Sequence, residues 1–188
     1  MLFREKIINF IYNNATNTKK FRTTLTPVGA IFFFLFVSLF VFVSLELDKY
    51  LNLPNFFPKN IVLYISIPFI VIGILLSGWS IFHFLRVKGT PVPLNPPPVL
   101  ITNGPYKYIR NPMLTGLFFI LCGLGIGLTS FSLFFIFTPL FIIINYLELK
   151  LIEEPELLKR LGDNYFYYRD RTPMFIPGWK LKKNNSNH

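Results

Sequence analysis

The chain has 188 residues, a hydrophobic fraction of 52% and a formal net charge of +10. Phe, Leu and Ile form long blocks, so too few polar residues remain to cover a soluble core, and the chain is expected to lie in a membrane. With one cysteine, Cys122, and two histidines, His83 and His188, the chain can form neither an intrachain disulfide nor a His/Cys metal cluster, and we expect no metal.

The first predicted element is an amphipathic helix within residues 1–25. Its apolar residues separate from its charged ones: Phe3, Ile7, Ile8, Phe10 and Ile11 against Arg4, Glu5 and Lys6. Such a helix is typical of segments that lie on a membrane surface. The polar run Asn13–Lys20 that follows is expected to be flexible.

Four apolar blocks follow, each typical of a transmembrane helix. They are Thr26–Leu47, Ile61–Leu85, Met113–Thr129 and Phe131–Leu147. The last two are short and nearly adjacent, so they predict a tight hairpin. The expected fold is an all-α integral membrane protein of about four transmembrane helices with a C-terminal helical hairpin. It divides into residues 1–25, a first span with its outer loop over 26–60, and a main membrane domain over 61–188.

The basic residues predict the orientation of these spans. Only Lys49 and Lys59 fall in the loop Asp48–Asn60, and the other seventeen of the nineteen Lys and Arg lie on the opposite side of the spans. By the positive-inside rule, both termini and the central loop are cytoplasmic in a multi-pass protein. This distribution explains the charge without a nucleic-acid partner, and none is expected.

The central loop combines prolines with a polar turn. Prolines between Lys88 and Pro98 exclude a helix and predict an extended, rigid strip that leads into Val99-Leu100-Ile101. A Gly104-Pro105 turn follows, and Tyr106 stands directly after it.

Charged residues stand at both ends of the hairpin. Arg110-Asn111-Pro112 precedes it and reads as a helix start, with Asn111 as cap and Pro112 in the first turn. Glu153 and Glu154 follow it and read as the first turn of a surface helix. Because a hairpin returns the chain to the face it left, we also expect Glu153 beside Arg110 in one pocket.

The C-terminal half carries a resemblance in an ordered set of motifs. They are Gly89-Thr90-Pro91, Gly104-Pro105-Tyr106, Arg110-Asn111-Pro112-Met113, Gly116, Glu153-Glu154-Pro155, Leu158, Gly162, Tyr165, Tyr168 and Pro177. The set resembles the isoprenylcysteine carboxyl methyltransferase and phospholipid methyltransferase superfamily. Residues before about Ile61 take no part in it.

The resemblance implies a membrane-embedded methyltransferase that uses S-adenosyl-L-methionine in a cytoplasm-facing pocket. The acceptor would be a lipophilic small molecule or a lipid-anchored substrate. Arg110 and Asn111 would act at the reacting centre. Carried over by position, the residues that would bind the cofactor are Pro98, Val99, Leu100, Ile101, Tyr106, Asn111, Pro112, Met113, Leu114, Glu153 and Glu154.

Three positions depart from the pattern of the superfamily. Asn111 replaces a histidine and Leu114 replaces a tyrosine. Leu149 replaces an arginine that prenylcysteine enzymes use for their substrate. Cofactor binding survives the change to Asn111, because an amide still forms hydrogen bonds, whereas acid–base chemistry by a histidine there does not.

Two other functions remain open at this point. One is a membrane reductase of the steroid-reductase type, which would use a nicotinamide cofactor. The other is a non-catalytic membrane scaffold, in which Arg110 and Glu153 form only a structural ion pair. The identity of the bound cofactor distinguishes the two enzymes, and any cofactor binding excludes the scaffold.

The predicted orientation can be tested by labelling single cysteines placed at Asn55 and at Asn185 after Cys122 has been replaced. We expect a membrane-impermeant reagent to reach Asn55 from outside and Asn185 only after permeabilisation. Equal labelling of both positions from outside contradicts the topology.

Overall fold

The computed structural model describes residues 3–17, 19–54, 56, 58–87, 97 and 99–178, and these contain helices and no strand. The expected all-α class is confirmed over those residues. The proline-rich strip 88–96, Pro98 and residues 179–188 lie outside them, so the rigid strip stays a prediction. The helices are α1 (Phe3–Ala15), α2 (Lys19–Tyr50), α3 (Lys59–Arg86), α4 (Pro112–Gly127), α5 (Thr138–Glu148), α6 (Glu154–Leu161) and α7 (Asp163–Arg171).

The first helices differ from the expectation in extent. α1 continues to Ala15 and α2 begins at Lys19, so most of the run Asn13–Lys20 is helical where flexibility was predicted. Thr18 itself lies outside the described residues. The helix that carries the first apolar block is therefore 32 residues long and starts well before Thr26.

Two π-helical turns make the second arm of the hairpin a single long helix. Leu133–Phe137 leads into α5, and Leu149–Glu153 joins α5 to α6, so Leu133–Leu161 is continuous over 29 residues. Each wide turn comes just before a proline, Pro139 or Pro155. A proline ring clashes with the carbonyl four residues earlier, and that carbonyl lies within the widened turn in both cases. The prediction that this helix ends at Leu147 is wrong.

Three helices in the described residues are long and apolar enough to cross a membrane: Thr26–Tyr50, Asn60–Arg86 and Leu133–Leu161. α4 has 16 residues, whereas a full span needs roughly 20. Its length is about 24 Å, and the apolar core of a bilayer is about 30 Å thick. The fold therefore has three long candidate spans and one shorter apolar helix.

α3 and α4 pack closely because small residues face each other. A methyl group at Gly73 of α3 would lie 2.5 Å from the Gly116 carbonyl oxygen and 2.6 Å from Ile120 Cγ1. Ser77 Oγ donates a hydrogen bond to the Met113 carbonyl oxygen at 3.2 Å. Such contacts between small residues are typical of helix pairs in membranes. They fix the start of α4, where Arg110 and Asn111 lead into the helix.

α2 completes the bundle on the side of the hairpin. Phe118, Leu121 and Phe141 form a buried core, against which Phe33 and Phe40 of α2 pack. At one end of the bundle, Asp48 accepts hydrogen bonds from the Ser130 hydroxyl and from the Ser132 N–H, the latter at 2.9 Å. The loop after α2 and the turn of the hairpin thus lie at the same end, opposite the charged residues that flank the hairpin.

We expect Gly73→Ala to destabilise the protein by about 1–3 kcal/mol, because the added methyl group overlaps the backbone of α4. Gly78→Ala is the matched control, since a methyl group there meets no atom within 4 Å. Thermal unfolding of the detergent-purified variants measures both. Equal unfolding temperatures for the two variants contradict the close packing.

Candidate functional site

A cavity of about 560 Å³ lies at the end of the bundle where the hairpin begins and ends. Ten of the residues singled out in the sequence line it: Val99, Leu100, Ile101, Tyr106, Arg110, Asn111, Met113, Leu114, Glu153 and Glu154. Pro112 is buried in the first turn of α4 and does not line the cavity. Pro98 lies outside the described residues.

Backbone hydrogen bonds hold Arg110 and Asn111 in the wall of the cavity. The Arg110 N–H donates to the Pro173 carbonyl oxygen at 2.8 Å, and the Asn111 N–H donates to that of Met174 at 3.1 Å. α4 starts at Pro112, as predicted, but the Asn111 side chain makes no capping hydrogen bond. Asn111 therefore occupies the N-cap position that the sequence predicts, and its side-chain amide is not used in capping.

The ion pair at the hairpin ends uses Glu154. Arg110 Nη1 pairs with Glu154 Oε1 and also donates to Tyr165 Oη at 3.4 Å. Arg169 Nη1 lies 3.9 Å from the other carboxylate oxygen of Glu154. The side chains of Arg110 and Glu154 are only 12% and 13% exposed. Glu153 lines the same cavity as Arg110, as expected, but the residue that pairs with the arginine is Glu154.

Glu153 is left without a hydrogen bond or a salt bridge to any described residue. It ends the π-helical turn Leu149–Glu153, and Glu148, directly before that turn, lines the same cavity without a partner. A π-helix has more than four residues per turn, so residues five apart come onto one face. The turn therefore aims Glu148 and Glu153 at the same space.

Tyr106 lies at the base of the cavity and is 6% exposed. Its ring packs edge-on to Phe84, and its carbonyl oxygen accepts from Tyr168 Oη at 2.7 Å. The preceding turn is fixed by Gly104, which has a φ of 59° and approaches the His83 ring so closely that no side chain would fit. Burial raises the pKa of the Tyr106, Tyr165 and Tyr168 phenols, so all three stay protonated and uncharged.

Two buried polar atoms at this site have no hydrogen-bond partner in the described residues: Tyr106 Oη and Arg110 Nε. Ser80 is near enough to the Tyr106 hydroxyl to influence its pKa, but the Ser80 hydroxyl donates to the Leu76 carbonyl oxygen at 2.7 Å. Buried groups without partners are uncommon in folded proteins and often mark places where a ligand binds.

Sequence reasoning missed part of the cavity wall. Glu156 and Arg160 form a buried ion pair at 2.7 Å, and Arg160 Nη1 also donates to the Pro97 carbonyl oxygen at 3.1 Å. Their four-residue spacing is a recognisable signal of a helical ion pair. α2 contributes Gly29, Ala30, Phe33 and Phe34 to the apolar part of the wall, and nothing in their composition distinguishes them from residues that face lipid.

The fold and cavity define a helical protein with apolar helices fit for a membrane and a polar site at one end of them. The family model for phospholipid methyltransferases matches residues 61–164. This covers more than half of the chain, which therefore belongs to the phospholipid methyltransferase family. No curated protein and no solved structure matches the chain.

We expect the two neighbouring glutamates to differ in their effect on stability. Glu154→Gln leaves Arg110 buried beside a neutral group, which should cost about 3–5 kcal/mol. Glu153→Gln removes no ion pair and should leave the unfolding temperature unchanged or raise it. Thermal unfolding in detergent measures both variants. A larger decrease in unfolding temperature for Glu153→Gln than for Glu154→Gln contradicts the assignment of the ion pair to Glu154.

Proposed function

We propose that the protein is a membrane-embedded methyltransferase that binds S-adenosyl-L-methionine in the cavity and transfers its methyl group to a lipophilic acceptor. The observation that carries this proposal is the unpaired Glu153 carboxylate, which faces a cavity that also holds the unpartnered Arg110 Nε. A structural ion-pair network would leave neither group without a partner. This favours a binding site over a scaffold.

The donors and acceptors of the cavity fit the cofactor. The Glu153 carboxylate suits an ammonium group or ribose hydroxyls, and Arg110 Nε together with the Asn111 amide suits a carboxylate. Tyr106 offers an aromatic surface for an adenine ring or a positively charged sulfur. A volume of about 560 Å³ is within the range of small-molecule sites. Val99, Leu100 and Ile101 supply the backbone and apolar wall beside these groups.

The cofactor supplies a methyl group on an already activated sulfonium. The remaining tasks of the protein are to align the acceptor with that methyl group and to exclude water. Arg110 and Asn111 are held by backbone hydrogen bonds to residues 173 and 174, so they can orient ligands without rearrangement. The buried phenol of Tyr106 stays neutral, which fits it for hydrogen bonding rather than for proton abstraction.

The acceptor would occupy the apolar part of the cavity. Phe33 and Phe34 of α2 lie there with Phe141 and Ile144 of α5, and these side chains would accommodate an acyl or isoprenoid chain. The cavity would face the cytoplasm, with both termini on that side, because the basic residues cluster at this end. Residues 61–188 would form the catalytic membrane domain, with 26–60 as a first span and 1–25 as a cytoplasmic segment.

We expect Glu153→Gln to weaken binding of S-adenosylhomocysteine by on the order of 1.5–3 kcal/mol, because a charge-assisted hydrogen bond is lost. Isothermal titration of the detergent-purified protein measures the affinity. Glu46→Gln is the control, because Glu46 forms an exposed pair with Lys49 near the far end of α2. Unchanged affinity in Glu153→Gln removes Glu153 from the site, and binding of a nicotinamide cofactor instead favours the reductase.

A prenylcysteine mimic such as acetyl-farnesylcysteine should be a poor acceptor, and a neutral or amine-bearing lipophile a better one. Leu149 is buried and offers no charge to a carboxylate. Nearby cations are committed elsewhere: Arg110 pairs with Glu154 and would use its Nε for the carboxylate of the cofactor, Arg160 pairs with Glu156, and Lys150 donates to Tyr146 Oη at 3.1 Å. Methylation assays with both acceptors test this. The expectation is contradicted if the unmodified protein methylates the mimic efficiently and Glu153→Gln does not.

A further inference from the structure

α1 has two apolar faces, and the protein covers only one of them. Ile8 and Ala15 are buried, and Ile11 of the same face lines the cavity. Phe3 and Phe10 are seven residues apart, which places them together on another face, and they are 77% and 64% exposed. Two phenylalanines on one exposed face require a partner that the rest of the described chain does not provide.

The covered face fixes where α1 lies. It packs against α6 and the π-helical turn Leu149–Glu153, and Lys159 Nζ donates to Asn9 Oδ1 at 2.8 Å. The same ammonium group lies 4.2 Å from the centre of the Tyr12 ring. α1 therefore forms part of the cavity wall behind Glu153, and the Lys159 side chain of α6 holds it there.

The position of α1 along the bundle identifies the missing partner. α1 is separated from α2 by only a few residues, and the apolar stretch of α2 begins at Thr26. α6 ends the last candidate span at Leu161. The start of one candidate span and the end of another therefore lie at the level of α1, which would be the edge of the apolar layer of the membrane. Arg4 and Lys6 are exposed on α1, which suits anionic headgroups.

We propose that the surface of the bilayer covers the Phe3 and Phe10 face of α1 and so completes the wall of the cavity. α1 is clamped between lipid on one side and α6 on the other. Loss of the lipid contact would loosen α1 and with it the position of Ile11 and of the turn that carries Glu153. The link to cofactor binding rests on the proposed function, whereas the contact with lipid does not.

The contact with lipid can be measured by nitroxide labelling at Phe10→Cys and at Glu5→Cys in a Cys122→Ser background. Glu5 is the control because it is exposed and lies about 140° around the helix from Phe10. In nanodiscs of phosphatidylcholine and phosphatidylglycerol, we expect the label at position 10 to be accessible to oxygen and shielded from a water-soluble nickel chelate. The label at position 5 should show the reverse.

Two results would overturn the lipid contact. Equal exposure of both labels to the nickel chelate places the Phe10 face in water. Shielding of the label at position 10 from both oxygen and nickel places it against protein, which indicates a second copy of the chain.

The coupling to the cavity is tested with the double variant Phe3→Ser/Phe10→Ser in the same nanodiscs. We expect its affinity for S-adenosylhomocysteine to fall about tenfold, while Asn13→Ser, an exposed polar change on the same helix, leaves it unchanged. Unchanged affinity in the double variant overturns the completion of the cavity by lipid. If the unmodified protein binds no S-adenosylhomocysteine, the proposed function fails, and the labelling result still decides the lipid contact.

Discussion

The buried pair of Arg110 and Glu154 is the interaction on which the site depends. It joins residues 44 positions apart in the sequence, one just before the hairpin and one just after it. A buried ion pair adds little net stability, because desolvation opposes the attraction between the charges. Its effect here is on the rotational position of the helix that follows the hairpin, because it fixes which of two adjacent carboxylates pairs with Arg110. Glu153 stays unpaired in the cavity because Arg110 pairs with Glu154.

The rest of the polar framework serves to hold this pair in place. Tyr165 and Arg169 of α7 contact the pair directly, and Tyr168 of the same helix anchors the turn at Tyr106. The segment after α7 returns to hydrogen-bond the backbone of Arg110 and Asn111. Helix α7 and the few residues after it thus connect both ends of the hairpin with the turn at Tyr106. The polar residues of α7 therefore make contacts inside the protein and are not only a water-exposed surface.

Much of this arrangement was predictable from sequence because it rests on composition and on hairpin topology. Apolar blocks identified the helices, and a hairpin necessarily returns Glu153 and Glu154 to the level of Arg110. The choice between the two glutamates was not predictable, because it depends on the helical phase. That phase is changed by the π-helical turn Leu149–Glu153, which assumptions of regular α-helix leave out. Pro155 was the available signal, since a proline inside a long helix removes a backbone hydrogen bond and disturbs the regular turn before it.

The contribution of α2 to the cavity was missed for a different physical reason. A phenylalanine that faces lipid and one that lines an apolar cavity meet the same kind of surroundings, so sequence alone does not separate them. Only the packing of α2 on Phe118 and Phe141 shows which side chains face inward. The ends of α1 and α2 were missed because polar Asn and Thr residues weaken helix signals near a membrane surface without breaking the helix.

The π-helical turn also has a consequence for how the site can change in evolution. Such a turn contains one residue more than the α-helical turn it replaces. Deletion of a single residue there would restore the regular helix and leave the segments on either side in phase, because five π-helical residues and four α-helical residues both complete about one turn. Glu148 and Glu153 would remain on one face, and the two ends of the hairpin would keep their positions. A one-residue change in length is therefore tolerated better at this turn than within α3 or α4, where it rotates everything beyond it by about 100°.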